Sequence, residues 1–326
     1  MKLTRYPKNP ILKPNPKIKW EAGATFNPSV IYDKGEFHLL YRAITSGFKR
    51  KPDGSGYINW TSSIGYAKSK DGIHFEKKKI PFIKPNRPFD RFGCEDPRIT
   101  KFEDTYYIFY TGMPRPAYTQ NEIPGIALAT TKDFKKIKKY GLIGPDPIKT
   151  RVKAAALFPE KIRGKIRMLF TWHPDKPDST ICYTEFKTHK ELTHPPKYYW
   201  HKILSQLDYH VVIGSPKNSR RGPELGAPPI KTKEGWLLIY CGPAIKEKIW
   251  LIHAALLDLK NPQKVLWQSN GPILKPEKLY EKKGMVNNVT FPEGAVLKNE
   301  KLMVYYGAGD KYCCLATSEF KNAFLS

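Results

Sequence analysis

The chain of 326 residues carries 56 Lys and Arg against 30 Asp and Glu, a formal net charge of +26, and 40% of its residues are hydrophobic. No window approaches the run of about 18 apolar residues that a membrane span requires, which excludes a transmembrane protein. The N-terminus lacks the apolar segment of a signal peptide, so we expect a cytoplasmic location. The five cysteines form no Cys-x-x-Cys pair, which predicts neither a disulfide framework nor a cysteine zinc site.

The positive charge is the anomaly of this composition. A strong positive field attracts polyanions, and the 19 Tyr, 7 Trp and 16 Phe offer the stacking surfaces that nucleic-acid grooves use. The lysines, however, are scattered along the whole chain, and the aromatic residues fall in apolar strand patterns. We therefore expect a solvated, lysine-rich surface and no nucleic-acid partner.

A sequence unit recurs roughly every 65 residues. A dipeptide ending in proline opens a short apolar strand in each unit, at 27–28, 96–97, 158–159, 228–229 and 291–292. A turn and a second strand rich in Val, Ile, Tyr and Phe follow, over 34–43, 104–112, 163–170, 234–242 and 299–307. A third strand is predicted at 63–72, 125–134 and 314–320. Proline-bounded segments at 9–14, 80–85, 140–145 and 271–276 suit an outer edge, because proline cannot donate to a ladder.

Four strands repeated five times predict an all-β fold, a five-bladed β-propeller that forms one domain over residues 1–326. The blades are expected at about 21–85, 86–145, 146–205, 206–276 and 277–326, with the N-terminal strand within 1–20 closing the last blade. The alternative is a pair of β-sandwich domains. That alternative requires a linker near the middle of the chain, and the sequence shows none.

The first strand of each propeller blade lines the central channel. We call the five repeated dipeptides that end in proline the proline marks, and we expect the residues near them to converge on that channel. Carboxylates from three blades are among them: Glu95, Asp96, Glu224 and Glu293. Glycoside cleavage needs two such groups, one protonated to assist the leaving oxygen and one ionised to activate a nucleophile. The structural alternative is that Glu95 and Asp96 only form ion pairs with nearby arginines, namely Arg42, Arg91 or Arg98.

The eight histidines give one further candidate functional residue. None of them shows metal-ligand spacing, so no metal site is predicted. His173 follows Trp172 in a loop of the third repeat and is a candidate ligand contact.

Several motifs, taken in order, resemble glycoside hydrolase family 130. They are Asn27-Pro28-Ser29, Glu95-Asp96-Pro97-Arg98-Ile99, Leu157-Phe158-Pro159-Glu160-Lys161, the run 235–240, the run 253–259, the run 288–292 and the run 305–310. The resemblance covers all five repeats. It implies a five-bladed propeller that cleaves β-mannosides with inversion, mostly by phosphorolysis to mannose 1-phosphate and in a minority of members by hydrolysis of β-1,2-linked mannosides. It further implies a small oligosaccharide substrate, no cofactor, inorganic phosphate as the co-substrate of a phosphorylase, and a possible homo-oligomer.

The resemblance also assigns roles to individual residues. Asp96 matches the general acid, which is thought to deliver its proton through a sugar hydroxyl. Asn27, Ser29 and Asp310 match residues that hold the mannosyl ring. The neighbouring substrate-binding candidates are Arg42, Glu95, Arg98 and His173.

The positions that match the phosphate cradle of the phosphorylases depart from the family pattern. They are Lys153, Thr171, Glu224 and Cys241, so only one of the four is a cation. Phosphate needs several donors or cations, whereas water as the nucleophile needs a carboxylate base. We therefore expect hydrolysis, with Asp96 as acid and Glu224 or Glu293 as base.

Two other functions stay open. The first is a phosphorylase whose phosphate site is rebuilt from Lys153, Lys161 and Arg221. The second is a non-catalytic propeller that binds a carbohydrate or a polyanion.

Overall fold

Short strands dominate the computed structural model, which describes residues 1–53, 57–116, 123–247 and 249–320. The all-β prediction is confirmed. The α-helices of the described residues are only α1 (His189–Thr193), α2 (Tyr199–Ser205) and α3 (Leu279–Lys282). Short 3-10 helices occupy Lys19–Glu21, Pro88–Asp90 and Leu207–His210. Within the same ranges, no helix is long and apolar enough to cross a membrane.

The strands fall into five successive units. The chain opens with β1 (Thr4–Arg5), and the first unit has β2 (Ala24–Asp33), β3 (Glu36–Ile44), the separate ribbon of β4 (Lys49–Arg50) and β5 (Tyr57–Ile58), then β6 (Ser62–Ser69) and β7 (Glu76–Lys77). The second unit has β8 (Gly93–Phe102), β9 (Thr105–Met113), β10 (Gly125–Thr131) and β11 (Lys138–Leu142). The third has β12 (Val152–Leu157), β13 (Ile166–Trp172), β14 (Thr180–Phe186) and β15 (Val211–Ile213). The fourth has β16 (Ile230–Lys231), β17 (Trp236–Gly242), β18 (Leu251–Leu257) and β19 (Val265–Gln268), and the fifth has β20 (Thr290–Lys298), β21 (Lys301–Ala308) and β22 (Tyr312–Glu319).

Neighbouring strands within each unit pair antiparallel. A single parallel bridge between Ser62 and Gly93 joins the first two units into one eight-stranded sheet. In the fifth unit β1 is hydrogen-bonded to β22, with Thr4 opposite Thr317, so the sheet order is β1-β22-β21-β20. The first strand of the chain is thus the outer strand of the last sheet.

Tight turns connect the first strand of a unit to its second strand. Between β2 and β3, Lys34 has φ 49° and Gly35 has φ 81°. Two consecutive positive φ angles define a type I′ turn, whose twist matches that of antiparallel strands. Positive φ pairs recur at 163–164 and 299–300, so the same turn is repeated in the third and fifth units.

Five apolar clusters fill the spaces between successive units, and each cluster takes side chains from two units. The first and second units share Leu40 and Ile108, the second and third share Phe109 and Phe170, the third and fourth share Phe158 and Trp236, the fourth and fifth share Leu237 and Tyr306, and the fifth and first share Tyr305 and Leu39. Burial of this apolar surface is the main force that holds the units together.

Buried carboxylates anchor the outer strands in three units. Each one sits in a short helix, accepts a hydrogen bond from a tyrosine hydroxyl of the second strand, and pairs with a cation of the outer strand. The three sets are Glu21 with Tyr41 and Lys77, Asp90 with Tyr110 and Lys139, and Glu281 with Tyr306 and Arg5. Because each carboxylate is buried and paired, removing its cation would be costly.

Candidate active site

Residues from the five units line one cavity of about 370 Å³. Every unit contributes at least one side chain to its wall. The lining residues are Asn27, Arg42, Asp96, Arg98, Arg151, Lys153, Ala154, Asp175, Glu224, Trp250, Val286, Val289, Phe291 and Asp310. The structure thus brings together seven of the residues singled out from the sequence: Asn27, Arg42, Asp96, Arg98, Lys153, Glu224 and Asp310.

Bulges in the first strands aim two of these side chains at the cavity. The strand register shifts around Asn27-Pro28 in β2 and around Asp96-Pro97 in β8. Asn27 and Asp96 both adopt a left-handed backbone with φ 50°. A bulge breaks the in-and-out alternation of a strand and redirects a side chain, and left-handed non-glycine residues concentrate at functional sites. The first two proline marks are therefore the bulges that present Asn27 and Asp96.

Asp96 lies in an electropositive, hydrogen-bonded setting. Its Oδ1 accepts hydrogen bonds from Nδ2 of Asn27 at 2.8 Å and from Nη1 of Arg42 at 3.1 Å. Burial alone would raise its pKa, but Arg42, Lys153, Asn27 and Arg98 together outweigh burial and hold the pKa of Asp96 below its ordinary value. A general acid must carry a proton, so a ligand that reduces the positive charge around Asp96 would favour that role.

Arg42 bridges Asp96 and Glu95. Its Nη2 lies 2.7 Å from Oε1 of Glu95, which also accepts a hydrogen bond from the Ser62 hydroxyl at 2.6 Å. The guanidinium stacks 4.9 Å from the centre of the Phe26 ring. Glu95 does not line the cavity, so in this structure it orients Arg42 from behind the wall.

Arg98 is fully buried, and its side chain contacts residues of three units. It donates to the carbonyl oxygens of Asp96 at 3.0 Å and of Leu225 and Gly226 at 2.8 Å. Its Nη2 lies 3.1 Å from Oε1 of Glu293, yet neither oxygen of that carboxyl accepts a hydrogen bond from a described residue. Burial raises the pKa of Glu293 well above its ordinary value. Glu293, one of the two candidate bases, thus lies behind Arg98 and outside the cavity wall.

Lys153, also in the cavity wall, sits between two carboxylates. Its Nζ lies 3.0 Å from Oδ2 of Asp175 and 3.5 Å from Oε2 of Glu224. The Glu224 carboxyl is fixed by the Asp175 backbone N–H at 3.1 Å and by Nη1 of Arg221 at 3.4 Å. Burial and the nearby Asp175 raise the pKa of Glu224 despite Lys153 and Arg221. Glu224, the other candidate base, therefore faces the cavity as a carboxyl that takes up a proton readily.

Asp310 closes the cavity from the fifth unit, in the turn between β21 and β22. It has φ 50°, like Asn27 and Asp96. Burial, opposed by Arg42 and reinforced by the negative charge of Asp96, raises the pKa of Asp310 to about 7. Its protonation state therefore changes near neutral pH.

The remaining sequence candidates lie outside the cavity wall. Ser29 is buried, and its hydroxyl accepts a hydrogen bond from the Ile99 N–H at 3.0 Å. Arg221 is buried behind Glu224 and donates to the Gly242 carbonyl at 2.6 Å. The imidazole of His173 stacks on Trp172 and pairs with Asp178 at 2.9 Å.

Lys161 is the phosphate candidate that lies furthest from the predicted arrangement. Its side chain is 46% exposed and reaches Glu103 at 3.9 Å. Lys153 is at the cavity end of β12, and Lys161 follows the other end. A strand of this length spans close to 20 Å, so the two lysines do not share one ligand.

Seven lining residues were not among the sequence candidates, and Arg151, Asp175 and Trp250 are three of them. Arg151 precedes β12 and stands two positions before Lys153, which is the spacing of one strand face. The two-residue spacing from Lys153 is the feature of the sequence that could have indicated Arg151. Asp175 belongs to the loop between β13 and β14, and Trp250 precedes β18; the sequence pattern gave no sign of either. Among the described residues, no group of three or more His, Cys, Asp or Glu is placed to hold a metal ion.

The chain belongs to glycoside hydrolase family 130: the family model described as beta-1,4-mannooligosaccharide phosphorylase matches residues 2–323. A 1,2-beta-oligomannan phosphorylase of Thermoanaerobacter sp. (strain X514) is 36% identical over 326 residues, covering 99% of both chains. A beta-1,2-mannobiose phosphorylase of the same strain is 38% identical over 324 residues, covering 98% of this chain and 97% of that one. The solved beta-1,2-mannobiose phosphorylase of Listeria innocua, in complex with beta-1,2-mannobiose, superimposes with a TM-score of 0.76 at 26% identity, covering 99% and 98% of the two chains.

These comparisons confirm the family resemblance and the prediction of a glycoside-processing enzyme. They correct the functional preference drawn from the sequence. Hydrolysis was favoured there because Glu224 stands where a phosphate-binding cation was expected, but these relatives are named as phosphorylases. Phosphorolysis, the first of the two alternatives, is the activity they support.

Proposed function

We propose that this enzyme is a phosphorylase that cleaves β-linked mannosides, in particular β-1,2-linked ones, and releases mannose 1-phosphate with inversion. The observation that supports this proposal most directly is the pair of basic residues Arg151 and Lys153, which lie in the wall of the cavity that also holds Asp96. Phosphate binding needs such cations in a site shielded from bulk water. The β-1,2 linkage is carried over from the activities for which the two Thermoanaerobacter relatives are named.

In the proposed reaction, a phosphate oxygen attacks the anomeric carbon of the mannosyl unit. The glycosidic carbon–oxygen bond breaks on the opposite face, and the proton of Asp96 ends on the leaving oxygen. Asn27 and Asp310 hold the mannosyl ring, and Arg42 and Arg98 fix Asp96. Negative charge on bound phosphate offsets Lys153 and raises the pKa of Asp96, so phosphate binding prepares the acid for its role.

We infer that the five units form a five-bladed propeller in a single domain spanning 1–326, with the blade limits given above. Two observations support this arrangement. The apolar clusters connect each unit to the next and the fifth unit back to the first. The cavity receives side chains from all five units, as a site on a central axis would. Five free, buried cysteines suit the reducing cytoplasm, which we propose as the location.

Hydrolysis is the second candidate function, and Glu224 favours it. Its carboxyl lines the cavity, and its raised pKa suits a base that takes a proton from water. In that reaction water would attack where phosphate attacks in the first, and no phosphate would be required.

The decisive experiment incubates the enzyme with β-1,2-mannobiose or β-1,4-mannobiose, with and without inorganic phosphate, and identifies the products and their anomeric form by NMR. A phosphorylase yields α-mannose 1-phosphate only when phosphate is present. Free mannose in phosphate-free buffer would instead establish hydrolysis, and E224Q would then abolish it. D96N serves as the control in both cases, because either reaction needs the acid.

A further inference from the structure

The carboxylate of Asp175 makes the closest ionic contact of Lys153 in the cavity. The distance from Oδ2 to Nζ is 3.0 Å, against 3.5 Å for the nearest oxygen of Glu224. The Asp175 side chain is 36% exposed, whereas that of Glu224 is fully buried. Of the two carboxylates, Asp175 is therefore the one that an incoming anion meets first.

The loop that carries Asp175 is held at both ends. The N–H of His173 donates to the Arg151 carbonyl at 3.0 Å, and the carbonyl of Lys176 accepts from the Gly222 N–H at 2.9 Å. Within it, His173 has φ 48° and Asp175 has φ 64°. Left-handed backbone at two non-glycine residues persists only where the surroundings enforce it. The backbone position of Asp175 is thus fixed by the loop, and its side chain extends from there to Lys153.

Carboxylates offset much of the positive charge around Lys153. Arg151, Lys153 and Arg221 carry three positive charges, Asp175 and Glu224 carry two negative charges, and the charge of Asp96 also acts on Lys153. A phosphate dianion is repelled by the nearer carboxylate, that of Asp175. Phosphate therefore binds at Lys153 more favourably once that carboxylate has moved away.

We propose that Asp175 occupies Lys153 in the unliganded enzyme, is displaced by inorganic phosphate, and so sets the phosphate concentration at which the enzyme works. This inference rests on the proposed phosphorylase function. Glu224 stays in place during the exchange, because Arg221 and the Asp175 backbone N–H hold it. Asp175 is a specificity residue: it acts on phosphate through its competition for Lys153 and takes no part in bond breaking.

The test compares wild type with D175N and with D178N. Asp178 lies in the same loop, is 59% exposed, pairs with His173 and does not line the cavity. D178N thus controls for the loss of an acidic residue from this loop. Binding of inorganic phosphate is measured by isothermal titration, and the KM values for phosphate and β-1,2-mannobiose and kcat are measured from initial rates. Thermal unfolding establishes that each variant is folded.

We expect D175N to bind phosphate at least tenfold more tightly than wild type and to have a lower KM for phosphate. The KM of D175N for mannobiose should stay close to that of wild type. D178N should resemble wild type in its phosphate affinity and in both KM values. Weaker or unchanged phosphate binding in a folded D175N would overturn the inference, because it would make Asp175 a mere support for Lys153. The wild-type enzyme alone tests the proposed function. If it binds no phosphate and cleaves mannobiose without it, the phosphorylase assignment fails together with this inference.

Discussion

The substitution E293Q separates a buried structural carboxyl from a catalytic one. Glu293 is completely buried, its oxygens accept no hydrogen bond from described residues, and its pKa is raised well above the ordinary value by burial. Glutamine has nearly the shape of the protonated carboxyl and carries no titratable proton. We therefore expect E293Q to fold and to keep kcat within about threefold of wild type, since Glu293 does not reach the cavity.

The effect of Glu293 on the free energy of unfolding depends on pH, and its size follows from the raised pKa. A carboxyl whose pKa is higher in the folded state binds more protons there than in the unfolded chain, so unfolding becomes easier as pH rises above the ordinary glutamate value of 4.5. One such proton contributes a slope of at most about 1.4 kcal/mol per pH unit to the free energy of unfolding. E293Q lacks this contribution and should gain stability over wild type as pH increases.

The assay is urea unfolding of both proteins from pH 5 to pH 8, followed by tryptophan fluorescence. The free energy of unfolding of wild type minus that of E293Q should fall steadily across this range. A difference that is flat or rises with pH would refute the reasoning, because Glu293 would then be ionised and stabilised by Arg98. A loss of kcat of a hundredfold or more in a folded E293Q would return Glu293 to the catalytic candidates.

Three further predictions concern other parts of the molecule. D96N should lower kcat by about 10²- to 10⁴-fold, the range for a general acid, while mannobiose binding measured by titration persists. The pH profile of kcat/KM should bend near pH 7, where Asp310 titrates, and the bend should vanish in D310N; a bend that survives in D310N assigns it to another group. R5M should destabilise the fold by about 3 kcal/mol in urea unfolding, because it leaves the buried carboxylate of Glu281 without its cation. A smaller loss in E281Q/R5M than in R5M would trace that cost to the orphaned charge.

Much of the cavity could be predicted from the sequence because the proline marks are tied to backbone geometry. Asn27-Pro28 and Asp96-Pro97 lie within the first strands β2 and β8, and not at their starts, and they form the bulges that face the cavity. The strand repeat itself follows from period-two patterns and turn residues, which depend on neighbours in the sequence. The position of Asp96 beside Asn27 is a direct consequence of that repeat.

The errors come from features that sequence periodicity does not encode. Asn27 and Asp96 precede the proline of their marks, whereas Glu293 follows Pro292, as Ser29 follows Pro28. The strand register shifts between Pro292 and Gly294, and Glu293 lies in the interior, as Ser29 does. Asp175 lies in a loop whose path depends on hydrogen bonds to distant backbone. The preference for hydrolysis treated Glu224 as an isolated charge, whereas the structure shows it beside Lys153, with Arg151 also in the cavity wall.

The pairing of β1 with β22 has a consequence for how the protein is made. Thr4 leaves the ribosome early, and its partner Thr317 emerges only after about 300 further residues, roughly 15 to 60 s later at usual rates of synthesis. During that interval the fifth sheet cannot be completed, and Arg5 lacks its partner until Glu281 has been made. The nascent chain therefore carries an unfinished sheet edge until β22 has emerged, and completion of the fifth sheet joins two strands that are synthesised far apart in time.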